Sequence, residues 1–357
     1  MNQHLRGVEH EDAVAPAADP PVPAEPAPTE GPTSAPATSD PRHRLTTFGT
    51  RYAVVGIWLA VAALYGVLMP DIFPRVSTLQ SILGSQQAMV FLGLGALVAF
   101  VVGEFDLSIA STLGLSATLV PVLSVTHGVN LFLSCVTAVV VAALVGLLNG
   151  VLVVKVGVGA LIVTLGMATF LLGIAALISH SQTVAGLTPG FSKIALTEIL
   201  GLPISFYYGL ILAALMAYIL TMTPLGRHMS FVGANPEVAR LAGVRVERIK
   251  ILSFVVGSAI AGLGGVILVA SVGGYDSTVS ANYILPTFAA VFLGTAVVRP
   301  GQFNALGTLV AIYFLATGII GLQMLGYSGW VENVFYGAAL VLAVSVATTI
   351  RRRGAGG

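Results

Sequence analysis

From Tyr52 to about Ile350 the chain alternates long apolar runs with short polar, glycine or proline breaks. A helix rising 1.5 Å per residue needs about 20 residues to cross about 30 Å of hydrocarbon, and it satisfies its own backbone hydrogen bonds on the way. The runs predict ten such segments, at 53–69, 86–103, 107–126, 131–154, 159–178, 206–222, 251–271, 285–298, 303–325 and 331–350. The first, second and eighth lie nearest the lower length limit, and several runs are interrupted by glycine. The expected fold is all-α: a polytopic transmembrane bundle of about ten helices, some broken or re-entrant.

Charge sharpens this picture. The 357 residues carry 16 basic and 15 acidic side chains, 9% of the chain against 56% apolar, whereas soluble domains are nearer a quarter charged. Residues 52–222 and 251–350, 271 in all, hold ten of those charges. Such a body presents no polar surface to water and belongs in a lipid bilayer. The net charge of +1 and the lone Cys135 argue against a nucleic-acid binder and a disulfide scaffold. The six histidines (4, 10, 43, 127, 180 and 228) show no ligand spacing, so no metal site is expected.

Residues 1–50 are expected to be a disordered, cytoplasmic Pro/Ala-rich tail, because PAADPPVPAEPAPTEGPTSAPATSDP lacks apolar periodicity and cannot bury enough surface to offset ordering. No continuous apolar stretch of signal-peptide length precedes residue 52. Residues 51–350 then form the membrane domain and 351–357 a second cytoplasmic tail. With the N-terminus inside and ten alternating helices, 14 of the 16 basic residues fall on the cytoplasmic side, leaving Arg75 and Lys193 outside. That asymmetry follows the positive-inside rule and places both termini in the cytoplasm.

The polar loop 223–250 reads TPLGRHMSFVGANPEVARLAGVRVERIK. Asn235 is a good N-cap, Pro236 suits the first helical position, and Glu237 complements the positive end of the helix dipole. Val238, Ala239, Leu241 and Ala242 make a small apolar face, and Gly243 is placed to close the helix in a left-handed cap. A helix of about seven residues is marginal in water by itself. Either a partner protein or the bundle beneath supplies the missing stabilisation.

GRHMSFVGANPEVARLAGV resembles the coupling-loop motif of the membrane subunits of ATP-binding-cassette (ABC) importers, in the ribose-permease-like, monosaccharide branch. In the same order, VVGEFDLSIAS, VGALIVTLGMATFLLGIA and LPTFAAVFLGTAVVRPGQFNALGTLVA with NVFYGAALVLAV resemble other segments of that branch, so the likeness covers roughly 50–350. It implies a permease in the bacterial inner membrane, paired with a second copy or a close paralogue. Its implied partners are a cytoplasmic ABC ATPase and an extracytoplasmic solute-binding protein, and its cargo a ribose- or xylose-like monosaccharide. It also implies that Asn235, Glu237, Arg240, Leu241 and Gly243 sit in the helix that docks on the ATPase. ATP and magnesium would belong to that ATPase; no cofactor is expected in this chain, which holds no G-x-x-x-x-G-K-[ST] loop. No catalytic residue is expected.

Polar groups inside the body are few. Glu104 and Asp106 interrupt the run between the second and third segments, and intramembrane acids usually line water or meet a partner. With Ser108 they read as pathway or gate residues on a broken helix. The alternative makes Asp106 an N-cap for the third helix, through the amides near Ser108 and Ile109, and places Glu104 at the cytoplasmic interface. Thr164, Gly166 and Thr169 fall within two turns, as close packing or a sugar-facing pathway requires. Gly262, Gly264 and Gly265 read as close-packing or kinking positions. Trp58, Trp330, Tyr207 and Tyr208 read as interfacial anchors. Arg299-Pro300-Gly301 departs from the small residues usual in the resembled branch. Segments 92–119 and 289–313 share a faint plan of apolar helix, polar break and second apolar helix, as internal transporter repeats do. The competing functions are an ion-coupled carrier using Glu104 and Asp106, and a membrane-embedded enzyme, for which no catalytic constellation appears.

Overall fold

The computed structural model describes residues 41–327 and 329–355, with side chains from 54 to 345 apart from 328. The part of the expected tail at 1–40 lies outside the described residues. In chain order the helices are α1 Pro41–Leu68, α2 Val76–Gly84, α3 Gln87–Val101, α4 Ile109–Pro121, α5 Leu131–Val151, α6 Ala160–Ile178 and α7 Pro189–Leu196. They continue with α8 Ile204–Met222, α9 Pro224–Ala234, α10 Pro236–Leu241, α11 Val246–Val272, α12 Ile284–Gly294, α13 Ala305–Met324 and α14 Trp330–Ala355. Wide helical turns prolong α4 over Val122–Thr126 and α5 over Leu152–Val156, and a 3-10 helix, Ser277–Tyr283, precedes α12. Four two-residue strands make two small antiparallel pairs: β1 Val184–Ala185 with β4 Gly274–Tyr275, and β2 Glu198–Ile199 with β3 Leu202–Pro203.

Each of the ten expected apolar segments coincides with a helix. Among the described residues seven helical stretches are long and apolar enough to cross a membrane; α2 and α3, bent by 41° at their junction, make an eighth if taken as one span. Val54–Leu68 and Trp330–Ser345 are shorter apolar helices. The molecule is thus a polytopic helical bundle. Its axis is α3, all of whose residues are buried, flanked by α11, which packs along α3, α4 and α5. Small residues set those distances: a Cβ on Gly95 of α3 would lie 2.7 Å from the carbonyl oxygen of Gly257 in α11, and one on Gly262 would lie 2.6 Å from Ala142 of α5. Lipid tails are as apolar as leucine, so close backbone approach replaces the hydrophobic effect as the force holding such helices together.

Three local expectations change. The eighth segment stops early: α12 ends at Gly294, and the chain unwinds until α13 starts at Ala305, with left-handed backbone at Val298 (φ 62°) and Gly301 (φ 81°). Pro300 cannot donate to a continuing helix, which explains the interruption. Trp58 is no interfacial anchor; α1 starts at Pro41, so this residue falls within the helix, where its indole donates to Thr317 Oγ1 of α13 at 2.8 Å. Finally, the loop 223–250 holds α9 as well as the short helix. Thr223 caps α9 by accepting from the Gly226 amide at 3.3 Å, and Pro224 occupies its first position.

Candidate functional site: the loop face of the bundle

Asn235 ends α9 and starts α10: its Oδ1 accepts from the Glu237 and Val238 amides at 3.1 Å each. At the other end the Gly243 amide bonds the Arg240 carbonyl and the Val244 amide the Ala239 carbonyl, each at 3.0 Å, with Gly243 at φ 81°. This closure consumes the orphan carbonyls of α10 and suits glycine, which alone enters left-handed space without a Cβ penalty. The apolar face is split. Ala239 is fully buried against the bundle, whereas Leu241 is 89% and Val238 47% exposed, beside exposed Glu237 and Arg240. Covering a leucine side chain is worth about 1.5–3 kcal/mol, and among the described residues nothing covers Leu241.

Two connections tie α9–α11 to the break between α3 and α4. Gly233, two residues before Asn235, lies directly on the Val101 carbonyl and the Gly103 amide, leaving no room for a Cβ. After α10, Lys250 of α11 donates to Glu104 Oε1 at 2.5 Å, both side chains being largely buried. A second ion pair, Lys155 with Glu247, joins the end of α5 to α11, but it is exposed. Exposed pairs contribute about 0–1 kcal/mol and the buried one is the tighter constraint.

The break itself is organised by a chain of donors ending on a carboxylate. Asn149 Nδ2 of α5 donates to Ser108 Oγ at 2.8 Å; Ser108 donates its hydroxyl (2.6 Å) and amide (2.9 Å) to Asp106 Oδ1. Asp106, Ser108 and Asn149 are all buried, and among the described residues Asn149 Oδ1 has no hydrogen-bond partner. Thr164 of α6, fully buried, accepts from the Leu107 amide at 3.1 Å and donates to Ala160 at 2.8 Å. The structure therefore brings Asp106, Ser108 and Thr164 to one place, with Glu104 adjacent but held by Lys250. Gly166 is exposed and faces open space on α6, and Thr169 is exposed and bonds only within its helix. Asn149, Gly233 and Lys250 escaped the sequence reading; the one signal for Asn149 was a lone amide within an apolar helix.

A second break, 295–304, lies between α12 and α13. Asn304, 6% exposed, accepts from the Gly307 amide at 2.7 Å and donates to the carbonyls of Gly294 and Val297 at 3.1 Å each. Five phenylalanines join the two breaks. Phe100 at the end of α3 stacks on Phe303 at 5.3 Å between ring centres and meets Phe105, Phe288 and Phe292 at 5.0–5.2 Å. At the opposite end of the bundle, Asp276 caps the 3-10 helix through the amide and hydroxyl of Thr278, which hold its carboxyl below the usual carboxylate range.

Residues 78–344 match the family model described as branched-chain amino acid transport system / permease component. The chain is similar to the autoinducer 2 import system permease protein LsrC of Salmonella typhi, 28% identical over 285 residues, covering 79% of this chain and 82% of that protein. It is likewise similar to LsrC of Escherichia coli O9:H4 (strain HS), 29% identical over 292 residues, 81% of this chain and 84% of the relative. No solved structure matches it. The family match runs along most of the multi-pass bundle, and the chain belongs to the permease-component family of ABC importers.

Proposed function

We propose that the chain forms the solute pathway of an ABC importer and is driven through α10 by a separate cytoplasmic ATPase. The observation that carries this is the capped six-residue helix with Leu241 89% exposed, anchored beneath only by Ala239 and flanked by the Gly233 and Lys250 connections. Leu241 and Val238 supply the apolar part of the docking surface, Glu237 and Arg240 its charges, and Asn235 and Gly243 keep the helix closed. A rigid helix seated in a partner passes rigid-body motion to the elements attached to it. The loop face is then cytoplasmic, as are both termini, in a bacterial inner membrane. Asp106, Ser108, Thr164 and Gly166 line or shape the pathway, and a second copy or close paralogue completes it. An extracytoplasmic solute-binding protein delivers the cargo to the opposite face. The cargo is a small polyhydroxylated solute: a ribose- or xylose-like monosaccharide is favoured by the motif resemblance, and autoinducer 2 by the names of the relatives.

The test is to express Leu241→Asp and Glu237→Arg with the cognate ATPase and binding protein. Both variants should reach the membrane, melt like the parent, and lose solute-stimulated ATP hydrolysis. Hydrolysis at the parental rate in both would remove α10 from the mechanism. Uptake that persists without any ATPase and collapses with the proton gradient would favour an ion-coupled carrier using Glu104 and Asp106.

A further inference from the structure

We infer that Phe100, Phe105, Phe288, Phe292 and Phe303 form the dry seal of the pathway at the loop face, and that Gly233 and the Glu104–Lys250 pair connect α10 to it. This deepens the importer reading, on which its direction of opening rests. The seal lies where the bundle is least regular. Two apolar helices, α3 and α12, stop at this face and give way to the non-helical stretches 102–108 and 295–304. Interrupted backbone at membrane depth is tolerated where it is buried in protein or lines a cavity. Here each interruption is pinned by a buried polar residue, Asp106 in one and Asn304 in the other. Between them lie five aromatic rings.

Those rings interlock rather than merely pack in one helix pair. Phe100 touches all four others, Phe105 and Phe292 are 6.4 Å apart, and Phe292 meets Phe303 at 5.6 Å. Phe105, at the edge of the network on a non-helical segment, is 37% exposed, so the cluster has a free side. An apolar constriction of this kind excludes water, and with it any hydrated solute. Both connections to α10 end on the Phe105 side: Gly233 rests on Val101 and Gly103, and Lys250 holds Glu104, the neighbour of Phe105. Displacing α9–α10 therefore moves Phe105 away from Phe292, while Phe303, fixed through Asn304, stays behind.

The test uses the full-length chain in proteoliposomes preloaded with radiolabelled erythritol, without ATP or ATPase. Phe105→Ser combined with Phe303→Ser should speed efflux about tenfold by wetting the constriction, whereas Phe105→Leu should leave it at the parental rate. Glu104→Lys and Lys250→Glu should each leak, and the two together should reseal. A doubly substituted serine variant that melts like the parent and does not leak overturns the seal. Should that variant not fold, Phe303→Cys in a Cys135→Ser background decides. A membrane-impermeant maleimide should reach it from the loop face alone, and equal labelling from both faces overturns the seal. Because no arm involves ATP, a leak found alongside ATPase-independent uptake would defeat only the importer reading.

Discussion

At the scale of single residues, Asn235 and Asp106 each accept the amide two positions on, in opposite surroundings. Asn235 caps an exposed helix of six residues, too short to persist on propensity. Replacing it by alanine removes about 1 kcal/mol of capping, so the α10 amides should exchange about fivefold faster with deuterium while the global melting temperature hardly moves. Asp106 accepts from Ser108 in a fully buried site. Asp106→Ala leaves that amide and hydroxyl without an acceptor, a cost of about 1–3 kcal/mol, whereas Asp106→Asn keeps an acceptor oxygen and costs less. Thermal unfolding in detergent should rank the parent above Asn and Asn above Ala. Equal melting of the two variants would show that water replaces the carboxylate there.

At the scale of elements, α3 and α11 approach each other because glycine faces glycine. Gly95→Val would place a side chain on the Gly257 carbonyl, 2.7 Å from the ideal Cβ position, so the helices must separate. Overpacking of this sort costs about 1–3 kcal/mol, and the variant should melt several degrees lower; Gly166→Ala, which meets open space, should not. The same elements show what the sequence discloses. Helix α10 was legible to within about one residue because its signals are local: Asn235 and Pro236 open it and Gly243 closes it. The α9 helix carried an equally local Thr223-Pro224 start but sat in a polar stretch without an apolar run to draw attention. The end of α12 was misplaced because the residues after Gly294, Thr295 apart, remain apolar through Val298, and Pro300 and Gly301 mark the break.

At the scale of the whole molecule, membership in the permease family was legible in the alternation of apolar runs and in four motifs held in order. Long-range pairings were not. Lys250 with Glu104, Asn149 with Ser108 and Trp58 with Thr317 join residues at least 41 positions apart, and no local pattern encodes which partners meet. The first two, with the Gly233 contact, make the loop face one connected body: α10 at the surface, the break behind it, and the aromatic rings between the two breaks. Arg299, within the second break, is another separation of sequence and structure, since its departure from the resembled branch leaves the capping by Asn304 intact.

The most direct measurement of the central claim compares uptake in cells carrying this chain with its cognate ATPase and solute-binding protein. One culture carries a hydrolysis-dead ATPase, and another receives an uncoupler while its ATP is maintained by glycolysis. Uptake should disappear with the dead ATPase and survive the uncoupler. Uptake that survives the dead ATPase and stops with the uncoupler would contradict the central claim.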